Sequence, residues 1–486
     1  MSNYVACELG ARDCRVTLGT LNDGQLTLSE VRRFQNSPIK EEESVQWNIA
    51  NLYEETIQGL RGVGSFEEPI DSISCSSWAA DYLLFESDGA LIAPTYHYSD
   101  PRCRAGMKAV FSRVPWETIY QETGVQQVPS NTLFQLGAEK SKRLSRAMHL
   151  MPVADAFNFL LAGVPCVEMS LASTTQLFNP LTRSWSQTLL NALRLPAKLL
   201  PPVVKSGTEL GPLRPEIAKD THLEDALVMT SCSHQLAAAL VGLPIPSNET
   251  WAYLCLGSSA AIGVEVPQPI ITDASREWNF TNEIGYNGTV RFQKPATGLF
   301  ILEECRRFWG DENRELDGDL LVHLAGSAPP FASLINPDDP RFSEPGDMPL
   351  KIQAFCRETR QPMPRKPGAI FRCILESLAL NYRKTLREIE ALTGNEVKGL
   401  CVLGGSANNL LNHFTASAIE IPIVIAPEDA AVVGNIIVQA LALGHIPSLP
   451  EARNVVRNSC KIETIIPRAT AWDVAYDRLL ALYPSS

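Results

Sequence analysis

Phosphate is held well where several N–H donors meet at close range, and tight glycine turns and helix N-termini supply such donors from backbone. Three short segments of this sequence fit that requirement. The turn Gly10-Ala11-Arg12-Asp13-Cys14-Arg15 follows Glu8, a carboxylate able to hold a water of a Mg²⁺ ion. The turn Leu256-Gly257-Ser258-Ser259 adds hydroxyl donors to a glycine. Gly404-Gly405-Ser406 lies between an apolar strand and a helix, where open α/β sheets bind ligands, although it lacks the full spacing of a dinucleotide fingerprint. Each of the three also suits an ordinary turn, so their joint occurrence says more than any one alone.

Transfer of a phosphoryl group to a hydroxyl also calls for a group that orients or deprotonates the nucleophile. His234-Gln235 follows an apolar strand at an expected helix start, with Ser233 placed to cap the helix. His234 reads either as a hydrogen-bonded structural histidine or as a catalytic group. Gln235 cannot act as a base, because a neutral amide does not titrate usefully.

These segments sit in a repeated plan. YVACELG, CRVTLGTL and QLTLSEVRRF read as strands joined by small-residue turns, and WAYLCLG, AAIGVEV and GTVRFQKPA repeat the arrangement. Helical periodicity follows each set, as in GLFILEECRRFW. The segment LPAKLLPPVVKSGTELGPLRPEIAKD is dense in Pro and Gly and reads as loop. Beyond it come the strand ALVMTSC and the helix SHQLAAALVGL, which place a boundary near residue 246. A long helix ends at Gly394, and then GLCVLGG, NNLLNHFTASAIE, IPIVIAP and DAAVVGNIIVQALALG alternate strand and helix. The expectation is a duplicated α/β domain.

The bulk numbers limit the alternatives. At 486 residues the chain is too long for one hydrophobic core, and 45% hydrophobic with 20% charged residues is ordinary for a globular protein. A formal net charge of −12 disfavours nucleic acid or an anionic membrane as partner. The start MSNYVACELGARDCR lacks the pattern of a signal peptide, and AAVVGNIIVQALALG is too short and polar to span a bilayer, so a cytoplasmic protein is expected. No CxxC pair occurs among the 12 cysteines, which argues against a zinc site. Cys356 and Cys373 flank a Pro-rich loop and would pair if that loop folds back.

The ordered motifs carry a resemblance. IQAFCRETRQPMP with AIFRCILESLALNY, then STTQLFNPLTRSW, LPPVVKSGTELGPL, AYLCLGSS, NEIGYNG and LGGSANNLLN resemble the FGGY carbohydrate kinases in order and spacing, over nearly the whole chain. The resemblance implies two actin-like domains of the ribonuclease-H type, with a catalytic cleft between them. It implies a sugar-binding domain over 1–246 and a nucleotide-binding domain over 247–486. It further implies ATP and Mg²⁺ as cofactors and a small, rhamnulose-like ketose as substrate, in a monomer or homodimer.

Carried over by position, the resemblance puts Glu8 at the metal-facing acidic residue. It puts Ala11, Arg12, Asp13, Cys14, Arg15, Ser258, Glu303, Gly404 and Gly405 at ATP, and Ala79, His234, Gln235, Leu236 and Pro295 at the sugar. Several of these depart from the family's residues. DLGASSGR is ELGARDCR here, so Asp13 places a carboxylate where phosphates are expected, with Arg12 or Arg15 at hand to neutralise it. DTWGVD is Ser76-Ser77-Trp78-Ala79-Ala80-Asp81. SHDT is Ser233-His234-Gln235-Leu236, so Gln235 stands at the base aspartate and His234 is the nearest replacement. A substrate-side Asn is Pro295 and an ATP-side Gln is Glu303. Two readings follow: a sugar kinase, or a kinase-fold protein that binds sugar or nucleotide in a regulatory role.

Overall fold

A computed structural model describes residues 1–66, 68–246, 249–311, 316–404, 409–468 and 471–483. The chain forms two compact units. The first comprises Met1–Pro244, Glu265–Phe292 and Asp429–Lys461, and the second Ile245–Val264, Gln293–Glu428 and Ile462–Ser486.

In the first unit, β1 (Ser2–Leu9), β2 (Asp13–Asn22) and β3 (Gln25–Gln35) form the expected meander, with β2 and β3 joined by Asp23-Gly24. β1 pairs on its other side with β4 (Ser72–Ser77), in parallel. β5 (Glu209–Pro212) and β6 (Leu227–Met229) complete the sheet in the order β5–β6–β4–β1–β2–β3. The central strands are covered on both faces, so Tyr4–Cys7 form an unbroken buried run rather than an alternating one.

The sheet of the second unit repeats the plan. β7 (Trp251–Leu256) pairs antiparallel with β8 (Ser259–Val266), which is flanked by β9 (Val290–Thr297). β7 pairs in parallel with β10 (Gly399–Leu403), and β10 in parallel with β11 (Ile423–Ile425). In both sheets an antiparallel hairpin flanks a central strand whose other neighbour is parallel. That shared order is the duplicated α/β architecture expected from sequence. The long helix runs Pro367–Thr393 and stops at Gly394 in a left-handed conformation.

Two helices of the first unit pack closely. α1 (Gln235–Val241) lies against α2 (Ala430–Ala442), and a Cβ on Gly434 would stand 1.7 Å from the Ala238 carbonyl oxygen. Only a glycine permits that approach, which fixes the height of the Gln235 end of α1. α2 is the apolar stretch judged too polar to span a bilayer, and among the described residues no helix is long and apolar enough to cross one.

Three local expectations change. The segment read as loop supplies β5 and a helix, Pro215–Thr221. Ser233 does not cap α1: His234 occupies the cap position without a side-chain bond, because the Ser233 hydroxyl donates to Asp155 Oδ1 at 2.7 Å instead. Cys356 and Cys373 are free thiols rather than a disulfide.

Candidate active site

Three segments expected at the site converge inside the first unit. Ser77 N donates to Ser233 O at 2.8 Å, and Ser77 bridges His234 in parallel, so the end of β4 runs beside the start of α1. Gln235 Nε2 donates to Leu9 O at 3.2 Å, which ties α1 to the end of β1, where the Gly10–Arg15 turn begins. The sheet order explains this meeting. β1 and β4 are parallel neighbours, so their carboxyl ends share one edge.

Beyond β4, Trp78 leads into the half-buried Ala79 and Ala80, and Ala80 holds a positive φ of 79°. That strained backbone is braced by what surrounds it. The Ala80 carbonyl accepts from Thr132 Oγ1 at 2.7 Å and Gln135 Nε2 at 3.2 Å. Asp81 Oδ2 accepts from the indoles of Trp47 (2.6 Å) and Trp78 (2.9 Å), and Oδ1 accepts from Gln135 Nε2 at 2.8 Å. Burial raises the Asp81 carboxyl to about 6, and these donors oppose the rise. Asp81 therefore anchors the loop from beneath.

His234 is held from behind by a group that sequence reading placed only in a strand. Fully buried Arg291 donates from Nη2 to His234 Nδ1 at 2.8 Å and to Glu283 Oε2 at 2.6 Å. A guanidinium has donors only, so Nδ1 is the acceptor and the ring proton resides on Nε2. Burial and the Arg291 charge hold the imidazole well below its usual value of 6.5. With Nδ1 occupied by Arg291, the ring offers its Nε2 proton as a donor.

A second buried group fixes the backbone at this point. Glu168 accepts from Ser170 N (2.9 Å), Ser206 Oγ (2.7 Å) and Ser233 N (3.0 Å), and from the Ser170 hydroxyl, whose oxygen accepts from His234 N at 3.0 Å. Burial raises the carboxyls of Glu168 and nearby Asp155. A glutamate among serines carries little signal in sequence, and nothing in its spacing pointed here.

In the Gly10–Arg15 turn, Arg15 Nε donates to Glu8 Oε2 at 2.5 Å, and Arg15 Nη1 pairs with Asp429. Asp13 is met by Arg33 on β3, 2.8 Å away, rather than by Arg12 or Arg15 as expected. The reason is register. Asp13 and Arg15 are alternate residues of β2 beside Gln35 and Arg33 of β3, while Glu8 is the cross-strand partner of Arg15. Among the described residues no three His, Cys, Asp or Glu side chains are grouped to hold a metal ion.

Ser258, Glu303, Pro295 and Gly404 lie in the second unit. The Gly257-Ser258 turn meets the first turn of α3 (Phe300–Asp311): Leu299 N donates to Gly257 O at 2.7 Å and Phe300 N to Ser258 O at 3.0 Å. Ser258 Oγ donates to both oxygens of Glu303, at 2.9 and 2.7 Å. A carboxylate thus stands at the positive end of a helix dipole, where a phosphate would otherwise be favoured. Gly404 adopts φ 74°, and a Cβ there would lie 2.4 Å from Leu256 O. Pro295 is exposed on β9, and Leu236 is half-buried in α1. Gly405, with Ser406, lies outside the described residues.

The comparisons agree with this architecture. The model of the FGGY family of carbohydrate kinases, N-terminal domain, matches residues 3–242, and that of the C-terminal domain matches 252–443. A rhamnulokinase of Bacteroides thetaiotaomicron is 38% identical over 479 residues, 98% of each chain. A rhamnulokinase of Enterococcus faecalis is 34% identical over 95% of this chain and 93% of its own. In fold, the chain resembles a ligand-bound xylulose kinase from Lactobacillus acidophilus, with TM-score 0.84 at 16% identity over 99% of this chain and 97% of that one. It also resembles a Plasmodium falciparum glycerol kinase with ADP, with TM-score 0.80 at 12% identity over 99% and 97%. With two family models spanning both halves and relatives matched end to end, the chain belongs to the FGGY family of carbohydrate kinases.

Proposed function

We propose that this sugar kinase transfers the γ-phosphoryl group of ATP to a hydroxyl of a small, rhamnulose-like ketose. The observation that carries the reading is the meeting of Ser77–Asp81, His234-Gln235 and the Leu9–Arg15 turn in one unit. The rhamnulokinase relatives support the substrate class, and they lend no support to a purely regulatory role. On this reading residues 1–246 bind the sugar and 247–486 the nucleotide.

His234, with its proton on Nε2, donates to a sugar hydroxyl. Gln235 orients the attacking hydroxyl without taking its proton. As the new O–P bond forms and the bond from Pγ to the leaving ADP oxygen breaks, the sugar proton passes to a phosphoryl oxygen or to water. The loose transition state of phosphoryl transfer tolerates late proton loss. Mg²⁺, when bound, would supply charge neutralisation to the transferring phosphate. Glu8, held by Arg15, is the carboxylate we assign to a water of that ion. The missing carboxylate costs about 10²–10⁴-fold in rate.

Incubation with MgATP and a panel of ketoses and aldoses tests the reading, with ADP and sugar phosphate measured together. Ketose-dependent ADP matched by a ketose phosphate is expected. ADP formed equally without sugar, or only with an aldose, would overturn it.

A further inference from the structure

The first unit contains a cavity of about 100 Å³ lined by Met169, Arg183, Lys205, Ser206 and the turn Gly285–Gly288. Its composition runs against the rest of the chain. The protein carries a net charge of −12, yet two cations and no carboxylate line this cavity. Among the described residues Lys205 forms no ion pair, and Arg183 gives one hydrogen bond, to Gly288 O at 3.2 Å. The Tyr286 hydroxyl and the Asn287 amide add neutral donors. Burial raises the phenol of Tyr286, which keeps it protonated and donating.

The walls are braced. The Lys205 carbonyl accepts from Thr208 Oγ1 at 2.7 Å and Thr230 Oγ1 at 3.0 Å. Ser206 Oγ donates to Glu168, so that buried carboxylate is already bonded to its serine donors. Across the cavity, Gly285 N donates to Thr289 O at 2.8 Å, and Thr289 Oγ1 donates to Glu265 at 2.9 Å. A hollow whose exposed Lys205 and Arg183 form no ion pair among the described residues suits an anion. Its volume limits that anion to the size of a phosphate group with little attached.

We propose that this cavity binds the phosphate group of a small anion, either inorganic phosphate or a small phosphomonoester. It is separate from the segments assigned above to sugar and ATP.

Calorimetry on the full chain tests the proposal, with ADP in excess to fill the kinase's own phosphate positions. Inorganic phosphate and glycerol phosphate are titrated in separate arms. Wild type is expected to bind with Kd of about 1 mM or tighter. Lys205→Ala and Arg183→Ala should each weaken binding by about tenfold, and the double variant should abolish it, with the unfolding midpoint unchanged. Lys205→Arg, which keeps the charge, should retain binding, and Lys40→Ala, on an exposed strand, should leave it unaffected. Equal affinity in the two arms assigns recognition to the phosphate group alone, and a preference for the ester assigns part of it to the attached carbon. Absence of binding to wild type in both arms, or unchanged binding in the double variant, would overturn the proposal.

Discussion

Arg291 donates to Nδ1 of His234 at 2.8 Å, and this one contact decides the chemistry available to the imidazole. The ring already carries its proton on Nε2, it cannot accept a second at Nδ1 without losing its partner, and the resulting imidazolium would be a cation beside a buried guanidinium. His234 therefore remains neutral where an ordinary histidine would titrate.

The acid limb of stability follows from that relationship. The histidine of the unfolded chain titrates near 6.5, and that of the folded chain well below. Between those values the unfolded chain binds more protons, so the contribution is present above pH 6.5 and is lost as pH falls below it. In urea unfolding at a series of pH values, His234→Gln should flatten this limb. An unchanged slope would show that other groups set it.

Glu303 sits in the first turn of α3 with both carboxylate oxygens on the Ser258 hydroxyl. Glu303→Gln removes a like charge from the phosphate's path and frees that hydroxyl. MgATP affinity should rise by roughly fivefold, or about 1 kcal/mol, more at low salt than at high salt. Helix stability should fall by about 0.3–1 kcal/mol from the lost charge–dipole interaction. Calorimetry and thermal unfolding read the two effects separately.

Gly404 combines a left-handed conformation with a 2.4 Å approach to Leu256 O. Gly404→Ala should destabilise the protein by on the order of 1–3 kcal/mol, read as a lower urea midpoint at constant slope.

The fold was legible because its signals are local. Apolar runs and tight turns mark β1–β3, and Gly394 stops the long helix where the periodicity ends. The site positions were expected from ordered motifs. What holds those positions was not, because the partners are distant in sequence. Arg291 is 57 residues from His234, and Asp429 is 414 from Arg15. The pairing of Asp13 with Arg33 depends on the register of β2 against β3, which neighbouring arginines do not reveal. Ser233 has the composition of a cap, but a buried carboxylate competes for its hydroxyl.

The central claim is that a sugar kinase site persists around Gln235 without its carboxylate base. Comparing kcat of wild type and Gln235→Asp on L-rhamnulose, with MgATP saturating, tests it most directly. The account predicts sugar-dependent ADP formation by wild type and a gain of about 10²–10⁴-fold in the variant. Sugar-dependent turnover in neither protein, or a variant no faster than wild type, would contradict it.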